Sequence, residues 1–534
     1  AKNNAAPMMY LNLHNTLGRR RRKVHTKDKA LGSTSGEWVE QTISLETEPH
    51  RQHERKSRNW GHHVTFGIYS PARHGGTFDV ADVAVTVEGG SEPLRGQEHA
   101  KPGDKNGVIS IGSRRELFVD DFLIDTITKA AERRLHHPMP RNVVMELDKP
   151  WDGNIAAYLT AVQDDERVLL YYSARPENGK QMAAVLESED GIHFTRPDVG
   201  KIEFNGSTDN NLVKRGPGNL GHNFTPFKDT NPDVSADQRF KAIARPGFSV
   251  YASPDGIEWK RLTDEPVLGG PTDSQNVAFW DPNRQKYVAY LRSTARGVRD
   301  IRMSTSEDFI EWTEPELIEY TDERREHMYT NCIRPYFRAP HIYIGTPARF
   351  VPQRTKIATH PANGVSDAVL MSSRDGKVFD RWEEGFIRPV AEPEVWTDRN
   401  NYPAWGMVQT APDRISLYWT EHYRHPTMRI RRGTIRTDGF VSLHAGGKDA
   451  GEMLTRPFTF TGNKLVVNYA TSAIGSIWFE LCDVYGNPID GFSFSDGGSL
   501  FGNEIRHVVA WGNDRKLSEL AGTPVRLRVR LHDA

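Results

Sequence analysis

The sequence predicts an all-β protein, a five-bladed β-propeller with a C-terminal β-sandwich and a partial N-terminal β-rich segment. The first observation is a recurring turn sequence: "SEDGIHF" (188–194), "SPDGIEW" (253–259), "SEDFIEW" (306–312), "SRDGKVF" (373–379) and a weaker "RTDGFVS" (436–442). The second is its spacing, since the aspartates of successive copies lie 53 to 67 residues apart. A period above about 50 residues, with several short strands in each unit, is typical of propellers.

Each copy of the turn has a local physical reason. Asp-Gly supplies the positive φ of a tight hairpin, and the Ser and Asp side chains can bind the amides of the turn. We expect the aromatic residue that follows to pack under the neighbouring sheet. A long β-sandwich whose hairpins resemble one another by chance is the alternative. The same order of three strands, turn and fourth strand in all five copies favours the propeller.

Four strands can be read in each repeated unit, because short runs alternate between apolar and polar residues. The five units cover 155–197, 222–262, 274–315, 329–382 and 402–445. An additional strand, "RRELFVDDFLIDTI" (114–127), is expected to complete the last sheet and so close the ring.

The regions outside the propeller have different compositions. The expected domains are a disordered basic arm (1–35), a partial β-sandwich or carbohydrate-binding-like segment with a linker (36–110), the propeller with the catalytic site (111–445) and the C-terminal β-sandwich (446–534). The arm contains the run "RRRRK", which is expected to be solvated rather than bound to a polyanion.

Composition excludes several classes of function. The 534 residues carry a formal net charge of −1, so a global basic field for nucleic acid or a membrane surface is not expected. No apolar run approaches the roughly 20 residues of a membrane span. Two cysteines, Cys332 and Cys482, are too few for a disulfide framework or a metal–thiolate site. The first residues contain no apolar core of the signal-peptide type.

One face of the predicted propeller collects polar residues from every unit. The first strand of each unit starts at this face and the second strand ends there, because neighbouring strands are antiparallel. The starts are rich in Asn, and each unit contributes an Arg near the rim. Arginine binds carboxylate and sulfate groups bidentately, which indicates an anionic substrate. The candidate substrate-binding residues are Arg175, Asn223, Gln275, Asn276, Arg292, Asn331, Arg334, Arg349, Tyr402 and His422.

Three carboxylates belong to the same face: Asp152, Asp273 and Glu421. Hydrolysis of a glycosidic bond needs two carboxyl groups, one protonated and one ionised, so these three are the candidate catalytic residues. An ion pair with a rim arginine is the alternative for each of them. His222 is a candidate proton carrier or sugar ligand, with a structural role as its alternative.

The chain resembles the five-bladed β-propeller glycoside hydrolases, the superfamily of invertases, levansucrases and arabinanases, over residues 112–445. It resembles more narrowly a set of uncharacterised glycosidase-like proteins of polysaccharide-degrading bacteria, planctomycetes especially, in "RELFVDDFLID", "GHNFTPF", "DSQNVAFWDP" and "TSAIGSIWFELCDVYGNPI". The resemblance implies that Asp152, at the start of the first blade, is the catalytic base or nucleophile.

The chain also departs from the family pattern. The invertase-type "NDPNG" is missing, His222-Asn223 replaces the acidic residue of the second blade, and Asp273 stands in place of the usual Glu acid of the third. The proton donor is therefore left open among Asp273, Glu421, His222 and His422. Some relatives hold a calcium ion on the axis, which is left open here; no other cofactor and no metal ligand set is expected.

These observations predict a glycoside hydrolase that cleaves a poly- or oligosaccharide, with sulfated or uronic substrates as the anionic candidates. A non-catalytic glycan-binding propeller and a glycoside phosphorylase are the alternatives. The expected partner is a carbohydrate substrate, without nucleic acid or membrane, and an oligomer is left open. Secretion or a periplasmic location is expected from the function alone.

Overall fold

The computed structural model describes residues 8–15, 22–30, 62–69 and 107–534, apart from 129, 177–178, 180, 216–222, 246, 272 and 513–514. This part of the chain is nearly all β. Its few short helices are one α-helix and three 3-10 helices: Phe494–Gly497, and Ala236–Gln238, Pro393–Val395 and Leu517–Leu520. The chain divides into two compact units, Ala1–Glu98 and His99–Ala534. None of the helices described here is long and apolar enough to span a bilayer.

The first unit contains a three-stranded antiparallel sheet. Met8–Asn15 lies in the middle, between Arg22–Ala30 and His62–Tyr69. Two of these strands fall in residues 1–35, where the sequence predicts a disordered arm. Most of the predicted segment 36–110 lies outside the described residues.

Five sheets follow one another along residues 139–436 of the second unit, and we number them sheet 1 to sheet 5 in chain order. Sheet 1 consists of Thr160–Asp164, Arg167–Ala174, Met182–Ser188 and Leu212–Lys214. Sheet 2 consists of Thr225–Lys228, Phe240–Ala244, Ser249–Ser253 and Lys260–Arg261. Sheet 3 consists of Val277–Asp281, Lys286–Ala295, Val298–Ser306 and Glu316–Leu317.

Sheets 4 and 5 are less regular. Sheet 4 consists of Glu319–Tyr320, Val378–Ile387, Val365–Ser373, Ala339–Gly345 and Arg334–Tyr336, with His327–Met328 and Ala348–Val351 beside this path. Sheet 5 consists of Val408–Ala411, Arg414–Glu421, Arg429–Arg436 and Met139–Glu146. Within sheet 4 the predicted strand 341–349 is interrupted before Ala348, where Pro347 has no N–H to donate to a neighbouring strand.

The prediction that residues 114–127 complete the last sheet is wrong. Met139–Glu146, not residues 114–127, pairs with Arg429–Arg436 in sheet 5. Within 114–127 only Ile124–Ile127 forms a strand, and it pairs with Gly451–Thr455. The predicted fourth strand of unit five also differs, since Val441–Ala445 pairs with Ala131–Leu135. All these segments alternate similarly, so sequence pattern alone does not select the partner.

The recurring turns have the predicted chemistry in four copies. In each, the hydroxyl of the first Ser accepts a hydrogen bond of 2.9 Å from the amide after the Asp. The Asp carboxylate accepts two further amides at 2.8–2.9 Å, as Asp255 does from Ile257 and Glu258. In the weaker copy Asp438 instead accepts from Tyr336 and forms ion pairs with Arg115 and Arg338.

Each sheet also contacts the turn of the next sheet. Three of these contacts are tyrosine hydroxyls that donate to turn carbonyls, one is a tyrosine that donates to Asp438, and one is a pair of phenyl rings. The contacts are Tyr171–Gly256, Phe227–Phe309, Tyr290–Gly376, Tyr336–Asp438 and Tyr418–Gly191. The last one joins sheet 5 to the turn of sheet 1, so the series of contacts returns to its beginning.

The C-terminal part contains further sheets around a core of its own. One sheet orders Ser476–Cys482, Arg526–His532, Gly451–Thr455 and Ile124–Ile127. Two further two-stranded sheets belong to the C-terminal part. They pair Phe458–Phe460 with Ile109–Gly112 and Leu465–Ala470 with Asn503–Val509. Their apolar side chains share one buried cluster that includes Ile109, Met453 and Val529.

A buried ion cluster at Glu116 links the segment before sheet 1 to the turn of sheet 4. Glu116 pairs with Arg374 and His341, and Arg374 also pairs with Asp120 at 2.7 Å. Burial opposes ionisation, but the hydrogen bond from His341 and the Arg374 guanidinium lower the pKa of Glu116 from 4.5 to about 2.

We expect this cluster to make the protein sensitive to acid. A carboxyl whose folded pKa is depressed stabilises the fold above its unfolded pKa, and this stabilisation is lost as the pH falls from 4.5 towards 2. The loss is roughly 3 kcal/mol. Urea unfolding at pH 6, 4 and 3 measures it, and Glu116→Gln should flatten the pH dependence in this window. An unchanged slope in the variant would contradict the assignment.

Candidate functional site

We call a group of six residues the tyrosine–arginine cluster. These residues come from four of the sheets or from the segments that precede their first strands. They are Tyr158, Tyr329, Tyr402, Arg292, Arg299 and Arg399. The guanidinium carbons of the three arginines lie 4.7, 4.9 and 5.6 Å from the centre of the Tyr329 ring. Tyr402 packs against the same ring at 5.3 Å. Cationic side chains around an aromatic face are mutually repelled, so an anion among them would be stabilised.

The cluster is largely buried. Tyr158, Tyr329 and Tyr402 are at most 3% exposed and Arg292 is 7% exposed. Arg292 donates to the carbonyl of Tyr329 at 2.6 Å, and Arg399 donates to the hydroxyl of Tyr423 at 2.8 Å. Within the described residues, no carboxylate pairs with Arg292 or Arg299. These guanidinium groups therefore remain available for an acidic ligand.

Asp273 is the carboxylate that belongs with this cluster. Its side chain is exposed, and its charge acts on the Tyr158 hydroxyl. Burial raises the pKa of Tyr158 well above its usual value, and the neighbouring Tyr329 and Asp273 add to the rise. The hydroxyl of Tyr158 therefore stays protonated at any physiological pH and can donate a hydrogen bond beside Asp273.

Backbone strain is concentrated around the cluster. Tyr158, Arg399, Asn401, His422 and Arg424 have φ between 58° and 66°, a region that non-glycine residues seldom adopt. Each such residue costs on the order of 1–3 kcal/mol, and residues of this kind are frequent at functional sites. Four of the five lie in the segments 399–401 and 422–424, which precede Val408–Ala411 and follow Arg414–Glu421 of sheet 5.

The Asp152 carboxylate is buried. It is 0% exposed and accepts hydrogen bonds from Tyr172 at 2.5 Å and from Arg196 at 2.7 Å. Burial raises the pKa of Asp152, although Tyr172 and Arg196 oppose the rise. The carboxylate thus has an ion pair, as the alternative to catalysis predicted, but its partner Arg196 is not one of the predicted rim arginines.

Glu421 is similarly enclosed. It is 1% exposed and pairs with Arg429 at 2.8 Å and with Arg431 at 3.0 Å. Next to it, His422 contacts Glu392 at 3.0 Å through Nε2 and Thr427 at 2.8 Å through Nδ1. His222 lies outside the described residues.

The predicted amide ligands contact the main chain. The Gln275 amide donates to the Leu159 carbonyl at 2.6 Å, which joins sheet 3 to the start of sheet 1. Asn331 donates to the carbonyls of Gln275 and Tyr290 at 3.1 Å. Asn276 accepts the amide of Arg292 at 2.7 Å. Asn223 is 1% exposed. The Asn-rich strand starts therefore hold neighbouring sheets together, a role that residue type alone does not distinguish from ligand binding.

The remaining predicted arginines differ in surroundings. Arg175 is exposed. Arg349 is held by Asp367 at 2.6 Å and by Glu326 at 3.0 Å. Arg334 stacks on Trp405, with 5.4 Å between its guanidinium carbon and the ring centre. In the part of the chain described here, no group of three or more His, Cys, Asp or Glu side chains is placed to hold a metal ion.

Of the predicted site residues, Asp273, Arg292 and Tyr402 come together. Sequence reasoning missed Tyr158, Tyr329, Arg299 and Arg399 as functional candidates. Tyr329 and Arg399 occur in "MYTN" and "RNNYP", two of the polar strand starts, so the pattern indicated their location but not their role. Tyr158 lies inside a predicted strand, where nothing in the pattern signals its positive φ.

Comparisons with known proteins give structural likeness only. No family model and no curated protein matches the sequence. A structure titled "Glycoside hydrolase" matches with 11% identity over 55% of this chain and 92% of its own, with a TM-score of 0.38. A structure from work on the GH130 family of mannoside phosphorylases, which contains glycoside hydrolases, matches with 15% identity over 56% and 93%, with a TM-score of 0.37. A fructofuranosidase from Schwanniomyces occidentalis matches with 9% identity over 73% and 94%, also at 0.37.

Proposed function

We propose that this chain cleaves glycosidic bonds in an anionic poly- or oligosaccharide at the tyrosine–arginine cluster. The observation that carries the proposal is an exposed carboxylate, Asp273, whose charge acts on the buried Tyr158 hydroxyl, on which Arg292 and Arg399 of the same cluster also act. A carboxylic acid at this position can protonate the leaving oxygen of a glycoside. The arginines would bind a sulfate or uronate group of the same substrate.

The fold that we propose around this site is a five-bladed propeller with a C-terminal β-sandwich. The closed series of sheet-to-turn contacts supports it, since the contact from Tyr418 to Gly191 joins the last sheet to the first. Trp405 supports it as well. This residue exchanges backbone hydrogen bonds with the segment 159–161, donates from its ring to the Ile333 carbonyl, and packs against Phe227 and Phe279. One residue thereby contacts all four other sheets or the segments leading into them, through its ring and its backbone.

Within this proposal the roles of the carboxylates differ. Asp273 is the general acid and Tyr158 orients its proton or the sugar. Hydrolysis requires a second carboxyl group, and Asp152 is the group that the family resemblance offers. Asp152 would have to exchange its bond to Arg196 for contact with water or sugar, since it is enclosed in this structure.

A glycoside phosphorylase is the second candidate, and a specific observation favours it. Phosphorolysis needs one carboxylic acid, because phosphate itself attacks the anomeric carbon while the acid protonates the leaving oxygen. The bond from this carbon to the leaving oxygen breaks and a bond to a phosphate oxygen forms. Arg292 and Arg299, which no described carboxylate neutralises, are suited to hold the phosphate dianion.

The test is turnover on matched sulfated, uronic and neutral glycans, each with and without inorganic phosphate. We expect release of reducing sugar from an anionic glycan, at least tenfold faster than from its desulfated or carboxyl-reduced counterpart. Formation of a sugar 1-phosphate that requires added phosphate would establish the phosphorylase instead. Saturable glycan binding without any product under all conditions would overturn both and support a binding protein.

A further inference from the structure

Arg334 is a half-buried arginine beside the Trp405 ring. Its Nε is buried without a hydrogen-bond partner, and no carboxylate in the described residues pairs with it. Burial alone lowers the pKa of Arg334 to about 10. One face of the guanidinium is covered by the Trp405 ring at 5.4 Å. Holding a guanidinium partly out of water without a counter-charge costs free energy, and proteins normally supply an acidic partner.

The position of Arg334 follows from that of Trp405. Because the Trp405 ring packs against Phe227 of sheet 2 and Phe279 of sheet 3 and donates to the carbonyl of Ile333, it lies where the five sheets converge. Arg334 therefore carries its charge into the centre of the sheets. The described contacts do not join it to the tyrosine–arginine cluster.

A second unpartnered polar group belongs to the same region. Thr225 is 0% exposed, and its hydroxyl has no hydrogen-bond partner. It precedes Phe227 by two residues on one strand, so both side chains point to the same side, where Phe227 meets Trp405. Thr225 therefore adds a second unmet hydrogen-bonding group on the side of its strand that faces Trp405.

We propose that the centre of the five sheets holds a small inorganic anion, chloride in solution, bound at the edge of the Arg334 guanidinium. The Trp405 ring covers one face of the guanidinium, and the N–H edge is where an acceptor would bind. The anion would neutralise the buried charge and thus stabilise the convergence of the sheets. A calcium ion at this place would instead face a like charge.

The experiment replaces chloride in the buffer by gluconate and then adds bromide at constant ionic strength, so that charge screening does not change. We expect the thermal midpoint of the full chain to rise saturably with bromide by about 2 °C or more. Arg334→Met should abolish this rise, whereas Arg354→Met, a change of an exposed arginine, should keep it. Crystals of the wild-type chain grown in bromide should show an anomalous peak at the Arg334 guanidinium.

The anomalous map of the wild-type crystal tests the anion site even if Arg334→Met does not fold. An anomalous map without bromide at Arg334 overturns the proposal. So does a bromide-dependent midpoint that persists in Arg334→Met. Occupation of this place by the gluconate of the halide-free buffer, with no halide effect, would overturn it in favour of a carboxylate ligand.

Discussion

Asp273→Asn should lower kcat by a factor of about 10² to 10⁴ on the glycan that the wild-type chain cleaves, because general acid catalysis contributes on this order. Asn cannot deliver a proton but keeps the size of the side chain. Asp273 is exposed, so the midpoint of unfolding should stay within about 1 °C of wild type. Steady-state kinetics on substrates with increasingly acidic leaving groups checks the role. The loss should shrink for a leaving group that needs no protonation.

Asp449→Asn is the matched control, since Asp449 is also an exposed aspartate but lies in the turn-rich joint before the C-terminal sheets. It should retain wild-type turnover. If Asp273→Asn keeps the wild-type kcat, Asp273 is not the general acid and the proposed mechanism is wrong. An equal loss for good and poor leaving groups would indicate that Asp273 binds the sugar rather than protonating it.

Asp152→Asn should destabilise the fold by about 3 kcal/mol, the usual cost of leaving one partner of a buried ion pair without its counter-charge. The change removes the buried partner of Arg196, which then keeps only the exposed Asp148 at 3.2 Å, and it disturbs the short hydrogen bond from Tyr172. Urea unfolding of Asp152→Asn, Arg196→Met and the double variant measures the coupling between the two side chains. The double variant should be less unstable than the sum of the single variants.

The same variants separate a structural Asp152 from a catalytic one. If Asp152 is the base or nucleophile that the family resemblance implies, Asp152→Asn loses activity far beyond Arg196→Met at equal stability. If its role is to hold Arg196, the two single variants lose stability and activity in parallel. Full stability of Asp152→Asn would contradict the ion pair as an important contact.

The sequence by itself determined the local chemistry of this protein. The Ser-x-Asp-Gly turns form as predicted in the copies at Asp190, Asp255 and Asp375, because the hydrogen bonds of the turn join residues only two or three apart. The strands before each turn were also predictable, since alternation reports which residues face a core. The pattern also selected Asp273 and Arg292 as candidates, and both act on Tyr158 in the structure.

Only the tertiary structure decided which partners distant residues have. Arg196 neutralises Asp152, Arg429 and Arg431 neutralise Glu421, and Met139–Glu146 completes sheet 5. Residue type does not distinguish an exposed carboxylate such as Asp273 from a buried one such as Asp152. The burial of a carboxylate and the identity of its counter-charge depend on which side chains from other sheets pack next to it. These contacts join residues far apart in the chain, so sequence spacing does not predict them.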